Sequence, residues 1–172
     1  MNVAGGTTTI LPNGNFGPIY ESEAFTEDIW ISGLPRLHID VSTATVGGQI
    51  YALLEECSEE GYCIHIGHAI MDLRYHEGGD QEQTWLPIFD TINAKMEFFA
   101  MDVQIEAGHI IRLSLASTGE DYLPASTSSI VEVSEGSNSN LLIDIINPED
   151  KLLFNPPICT HQACLDWLNQ TA

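Results

Sequence analysis

The sequence contains very few basic residues. Lysine and arginine together number 5, against 25 aspartates and glutamates, so the formal net charge is −20 at pH 7. A surface of this charge repels the phosphates of nucleic acids and the headgroups of anionic membranes. We therefore expect neither a nucleic acid nor a membrane as a partner.

Long apolar runs and helical periodicity are missing as well. No stretch of 18 or more apolar residues occurs, so no membrane-spanning helix is expected. Only residues 161–170, HQACLDWLNQ, have a pattern compatible with a short helix. The chain of 172 residues, 44% of them hydrophobic, is long enough to form one domain with a sizeable core.

What the sequence does contain is a series of short segments in which polar and apolar residues alternate. In RLHIDVS, residues 36–42, Leu37, Ile39 and Val41 fall on one side of a predicted strand, as expected for a half-buried strand of period two. About eight or nine such segments, separated by turn residues, predict an all-β fold. An antiparallel β-sandwich is the expected architecture, and a jelly roll is its natural form at this length.

The same segments suggest the domain organisation. Residues 1–15 are interpreted as an extended lead-in, and residues 16–147 as the jelly-roll β-sandwich domain. Residues 148–172 are interpreted as a C-terminal tail, which contains the candidate short helix.

Motifs for catalysis are missing from the chain. A serine hydrolase of the α/β type exposes its nucleophile in a G-x-S-x-G turn between a strand and a helix. The sequence has neither this motif nor the alternation of strands and helices that would carry it. We therefore expect no enzymatic activity from the chain by itself, and no cofactor.

Two motifs contain residue types that bind metals, but neither meets the geometric requirement. His65 and His68 form H-x-x-H in a predicted strand, where residues three apart point to opposite faces, so they are not expected to share an ion. Cys159, His161 and Cys164 leave zinc one ligand short of four. Acidic clusters could bind calcium, but solvated loops are the favoured interpretation. No metal site is therefore predicted.

The four cysteines occur as two close pairs, Cys57 with Cys63 and Cys159 with Cys164. Close, even pairs favour two local disulfides and hence an oxidising compartment, so a secreted or periplasmic location is favoured. The alternative of four buried free thiols in a cytosolic protein stays open.

Several stretches follow one another in a recognisable order over residues 16–147. They are YESEAFTEDIWISGLPRLHIDVST, GQIYALLEE, IHIGHAIMDLRY, VQIEAGHIIRLSLAST and DYLPASTSSIVEVSEGSNSNLLI. Their order and spacing resemble the C-terminal, non-catalytic domain of the X-Pro dipeptidyl-peptidase and cocaine-esterase family of serine hydrolases. The two cysteine pairs and the tail are departures from the family pattern.

The resemblance implies a jelly-roll sandwich similar to galactose-binding folds. It also implies the function of an accessory domain, which packs on the α/β-hydrolase catalytic domain of the same parent protein and shapes its active-site surroundings. The Ser-Asp-His triad would lie on that catalytic domain, and no triad residue is carried over to this chain. A homodimer is also compatible with the resemblance. A carbohydrate-binding β-sandwich module is the alternative function.

Gly108 and His109 are predicted to be structural. Gly108 supplies a permissive backbone at a turn between two strands. A ring nitrogen of His109 is expected to bond loop carbonyls that the end of the sandwich would otherwise bury unpaired. His109 also resembles a structural histidine of the family at this position.

An apolar patch is predicted where the catalytic domain would cover this domain. Its candidate contributors, taken from the large aromatic residues of the matched region, are Trp30, Trp85, Phe98 and Phe99.

The cysteine interpretation gives a first prediction. Disulfides between Cys57 and Cys63 and between Cys159 and Cys164 would leave no thiol to titrate in protein that is unfolded without reductant. We expect no reaction with a thiol reagent in denaturant, and four reacting thiols after reduction, one for each cysteine. Four reacting thiols before reduction would contradict both disulfides.

Overall fold

The computed structural model describes residues 6–77, 84–119, 121–124 and 129–146. These residues form twelve strands and one short 3-10 helix, Leu73–Tyr75, and no α-helix. The strands are β1 Thr7–Ile10, β2 Ile19–Glu21, β3 Ile29–Gly33, β4 Arg36–Thr43, β5 Gln49–Cys57, β6 Cys63–Asp72, β7 Ile92–Glu97, β8 Met101–Ile105, β9 Ile110–Ala116, β10 Val131–Ser134, β11 Asn140–Leu142 and β12 Ile145–Ile146.

All the described strand pairs are antiparallel and belong to three sheets. In the five-stranded sheet, β4 pairs with β7 on one side and with β10 and β11 on the other, and β1 extends the sheet beyond β10. The four-stranded sheet has the order β2-β9-β5-β6, and the three-stranded sheet has the order β12-β3-β8. The predicted antiparallel β-sandwich is confirmed.

Side chains from all three sheets meet in one hydrophobic core. The alternation predicted for β4 is observed, because Leu37, Ile39 and Val41 are each at most 3% exposed while the residues between them are not buried. In β5 the same alternation sends Ile50 and Leu54 into the core. This burial of apolar surface is the main stabilising contribution to the fold.

The segment interpreted as an extended lead-in contributes a strand to the sandwich. Thr7–Ile10 pairs with Val131–Ser134, and Ile10 is completely buried. The tail, residues 148–172, lies outside the described residues, so the short helix interpreted there stays a prediction.

Phe98 does not belong to a surface patch, contrary to the sequence-based expectation. It is 2% exposed and lies in the core, where its backbone N–H donates to the carbonyl of Pro35 over 2.9 Å. Phe99, the next residue, is 67% exposed. Neighbouring residues of extended backbone point to opposite sides, so the two phenylalanines cannot both face a partner domain.

These two adjacent phenylalanines form a matched pair for a stability test. Phe98→Ala should lower the free energy of unfolding by about 3 to 5 kcal/mol, because it removes a buried ring and leaves a cavity. Phe99→Ala should change it by about 0.5 kcal/mol or less. Urea denaturation monitored by circular dichroism measures both. Equal losses in the two variants would contradict the burial of Phe98.

Candidate functional site

The turn between β8 and β9 places His109 at one end of the sandwich. Gly108 has a φ of +86°, a left-handed conformation that glycine adopts without the steric cost of a Cβ atom. The backbone N–H of His109 donates to the carbonyl of Glu106 over 3.1 Å and closes the turn. The loop around Phe25 binds the turn from outside, since Phe25 donates to the carbonyl of His109 over 3.0 Å and accepts from Gly108 over 2.8 Å.

A nearly buried carboxylate, that of Glu56 in β5, connects this turn to the sheet. Its Oε1 is 2.8 Å from His109 Nδ1 and accepts from the backbone N–H of Glu106 over 3.2 Å. Glu56 is 8% exposed, so its carboxylate depends on protein donors in place of water. Because a carboxylate oxygen only accepts, the proton of this hydrogen bond lies on His109 Nδ1.

The partner of His109 is therefore a side chain of another strand, where the sequence led us to expect loop carbonyls. The physical reason is the pairing of β5 with β9, which sets Glu56 opposite Ile111. That pairing brings the carboxylate beside a turn that lies 53 positions away in the sequence.

The first cysteine pair closes the hairpin formed by β5 and β6. Cys57 and Cys63 are register partners and are joined by a disulfide. The guanidinium of Arg112 contacts Cys63 Sγ at 3.1 Å and forms an ion pair with Glu21 at 2.8 Å. The second pair lies outside the described residues, as does His161, and its disulfide stays a prediction.

The expectation that His65 and His68 point to opposite faces is wrong. Glu55 pairs with His65, whereas the residue before it in β5 pairs with Gly67, so Ile66 is an extra residue in a β-bulge. One extra residue reverses the side-chain alternation beyond it. Both rings therefore lie on the outer face of the sheet, with His68 Nδ1 3.2 Å from His65 Nε2.

An aromatic cluster surrounds His68 on that outer face, and we call it the aromatic face. Its members are Phe16, Tyr51, His68, Phe99 and Tyr122. The ring of His68 stacks on Tyr51 at 5.8 Å and meets Phe99 and Tyr122 edge-on at 5.5 and 5.7 Å. Tyr51 is buried beneath the cluster, whereas Phe16 is 48% and Phe99 67% exposed. This cluster is not predicted by the sequence patterns considered above, although the alternation in β5 already places Tyr51 opposite the core residues.

The remaining predicted contact residues lie elsewhere. Trp30 is half-buried in β3, and Trp85 is 59% exposed in the segment before β7. The guanidinium of Arg74 lies 5.8 Å from the centre of the Trp85 ring.

Arg74 also forms an ion pair with Asp72. Burial alone would raise the pKa of Asp72, but the hydrogen bonds from Arg74 outweigh the effect of burial and lower that pKa below its ordinary value.

An apolar cleft of about 180 Å³ opens beside β9 and the end of the described chain. Phe25, Ile111, Leu113 and Ile143 are among its lining residues, and its single polar side chain is Ser22. The hydroxyl of Ser22 already accepts from the backbone N–H of Ile111 over 2.9 Å. The cleft therefore contains no group that could act as an acid, a base or an activated nucleophile.

Within the described ranges, no three histidine, cysteine, aspartate or glutamate side chains converge where a metal ion could be held. In the same part of the chain, no helix has the length and apolar character needed to cross a membrane.

Comparison with protein families gives a match over most of the chain. Residues 13–139 match the model of the family described as X-Pro dipeptidyl-peptidase C-terminal non-catalytic domain. No curated protein sequence matches the chain significantly.

Comparison with solved structures gives the same fold in several hydrolases. A CocE/NonD family hydrolase from Staphylococcus aureus matches 83% of this chain with a TM-score of 0.72 and 10% identity. An aminopeptidase from the marine sediment archaeon Thaumarchaeota archaeon matches 84% with a TM-score of 0.70 and 12% identity. An alpha-amino acid ester hydrolase matches 74% with a TM-score of 0.64 and 17% identity. The chain spans 33%, 33% and 25% of these three structures, respectively.

The link between Glu56 and His109 gives a stability prediction. His109→Ala should lower the free energy of unfolding by about 1 to 2 kcal/mol, because Glu56 then keeps a single donor in a nearly buried position. Urea denaturation measures the change. The control is Glu106→Gln, whose side chain is 74% exposed and which should cost about 0.5 kcal/mol or less. A His109→Ala variant as stable as the unchanged protein would contradict the structural role.

Proposed function

Because the chain belongs to the X-Pro dipeptidyl-peptidase C-terminal non-catalytic domain family, we propose that it works as the accessory domain of a larger serine hydrolase. The observation that carries the proposal is the family match over residues 13–139. The lack of a G-x-S-x-G motif and of any reactive group in the apolar cleft agrees with a non-catalytic part.

The parent protein, in this proposal, is a peptidase or an esterase whose catalytic triad lies on an α/β-hydrolase domain. The matched structures support this, because their names include an aminopeptidase and an ester hydrolase, and because at least two thirds of each lies outside the matched region. The sandwich itself is proposed to be a jelly roll of the galactose-binding type. Supporting this topology, β4 pairs with β7, β10 and β11, none of which adjoins it in the sequence.

The aromatic face is the surface that we propose for docking on the catalytic domain. Phe99 projects from it at 67% exposure and Phe16 at 48%. Covering these rings would remove apolar area from water, which favours association, and large aromatic side chains often anchor such interfaces. Tyr122 and His68 of the same cluster add polar atoms to this surface, in keeping with the polar character of inter-domain contacts. Trp30 and Trp85 remain candidate contacts, but not as part of this face.

The same face also favours the alternative function, a carbohydrate-binding module. Exposed aromatic rings near hydrogen-bonding groups are suited to stacking on the apolar faces of sugars. Here Phe99 lies against His68, which in turn contacts the hydroxyl of Tyr122. A homodimer through this face is a third arrangement. Sugar titration tests the carbohydrate-binding module, and light scattering tests the homodimer.

Docking can be tested with the α/β-hydrolase domain that this proposal assigns to the parent protein. The two should form a complex in isothermal titration calorimetry, and Phe99→Ser should weaken it at least about tenfold, since an interface anchor is lost. The matched control is Tyr62→Ser, because Tyr62 is 78% exposed at the tip of the β5–β6 hairpin and outside the aromatic face.

Three outcomes would contradict the proposal. The first is the absence of a complex, and the second is equal weakening by both substitutions. The third is hydrolysis of dipeptidyl or acyl substrates by the purified chain alone, blocked by a fluorophosphonate, since the chain would then carry its own nucleophile.

A further inference from the structure

The bulge at Ile66 brings together two imidazoles, those of His65 and of His68, and the second of these also belongs to the aromatic face. His68 Nδ1 and His65 Nε2 face each other at 3.2 Å on the outer side of β6. A neutral imidazole has one N–H and one bare nitrogen. Two bare nitrogens at this distance would repel each other, so an electrophile, either a proton or a metal ion, has to lie between them.

Tyr122, whose hydroxyl can donate or accept, is compatible with the form of His68 that can bind a metal. Its hydroxyl oxygen lies 2.8 Å from His68 Nε2, on the far side of the ring from His65. When Nε2 carries the proton and donates to Tyr122, Nδ1 is bare and its lone pair is directed at His65. Metal-binding histidines commonly have their other ring nitrogen held by a hydrogen bond of this kind.

We propose that His65 and His68 form a binding site for a divalent transition metal ion of the Zn²⁺, Ni²⁺ or Cu²⁺ class. Metal–nitrogen bonds of zinc are about 2.0 to 2.1 Å long, and two ligands at a tetrahedral angle are then about 3.3 Å apart. The observed separation of 3.2 Å meets this requirement without movement of the backbone. Water completes the coordination, because no third histidine, cysteine or carboxylate of the described residues converges on the pair.

The negative charge near the two histidines favours a cation, and their imidazole ligands determine which metal ions bind. The formal charge of −20 raises the concentration of cations near the surface, and Glu55 is the register partner of His65 on the neighbouring strand. Imidazole nitrogens prefer zinc, nickel and copper, whereas calcium and magnesium prefer oxygen ligands. The site is therefore expected to discriminate between these two groups of ions.

The proposal does not rest on the accessory-domain function, and the test uses the full chain alone, without a histidine tag. Nickel chloride and zinc chloride are titrated into the protein by calorimetry, with calcium chloride in a parallel titration. We expect each chain to bind nickel or zinc at one site. We also expect His65→Ala and His68→Ala each to weaken it more than about tenfold, and Tyr122→Phe to weaken it by a smaller factor.

Two other histidines serve as matched controls. His38 lies on β4 of the five-stranded sheet, and His161 belongs to the cysteine-containing tail. Alanine at either position should leave the affinity unchanged. His65 is exposed, so His65→Ala should fold like the unchanged protein, and circular dichroism verifies this.

Bound copper offers a second readout. Its electron paramagnetic resonance spectrum should show coupling to imidazole nitrogens that disappears in His65→Ala. Three results would overturn the proposal: the same nickel affinity with and without His65, loss of binding only in His161→Ala, or a copper spectrum unchanged by His65→Ala.

Discussion

The structure depends on the pairing of β5 with strands on both of its edges. Backbone hydrogen bonds to β6 and β9 fix the direction of every side chain of β5. Because successive residues of a strand point to opposite faces, Ile50 and Leu54 enter the core while Tyr51 and Glu55 face outward. A shift of one residue in either pairing would exchange these two sets. The core residues that β5 contributes, the aromatic face and the position of Glu56 therefore all depend on these two pairings.

Several features of the candidate site are arranged along β5. Glu56, near its end, holds the turn of His109, and Cys57 is covalently joined to β6. The outward side chains of β5 support the aromatic face, since Tyr51 lies beneath the rings that are open to solvent. Ring contacts of this kind would favour the proposed docking, because an interface loses affinity when its side chains must first be ordered on binding.

The sequence was sufficient to predict the fold class and the features that depend only on residues close together in the chain. Alternation in β4, the turn at Gly108 and the absence of a nucleophile motif are all properties of neighbouring residues. The partner of His109, the burial of Phe98 and the approach of His65 to His68 could not be predicted in this way. The first depends on which strands pair, the second on which side of the chain meets the core, and the third on one extra residue at Ile66.

The pairing of β1 with β10 has a consequence for how the protein is made. Thr7 lies opposite Ser134, so a chain emerging from the ribosome cannot complete the five-stranded sheet until nearly all of the described domain has been synthesised. Pairings between distant segments fold slowly, because loop-closure entropy is lost before the contacts form. During that delay Ile10, which is completely buried in the folded domain, lacks its pairing partner Val131, and transiently exposed apolar side chains of this kind favour aggregation.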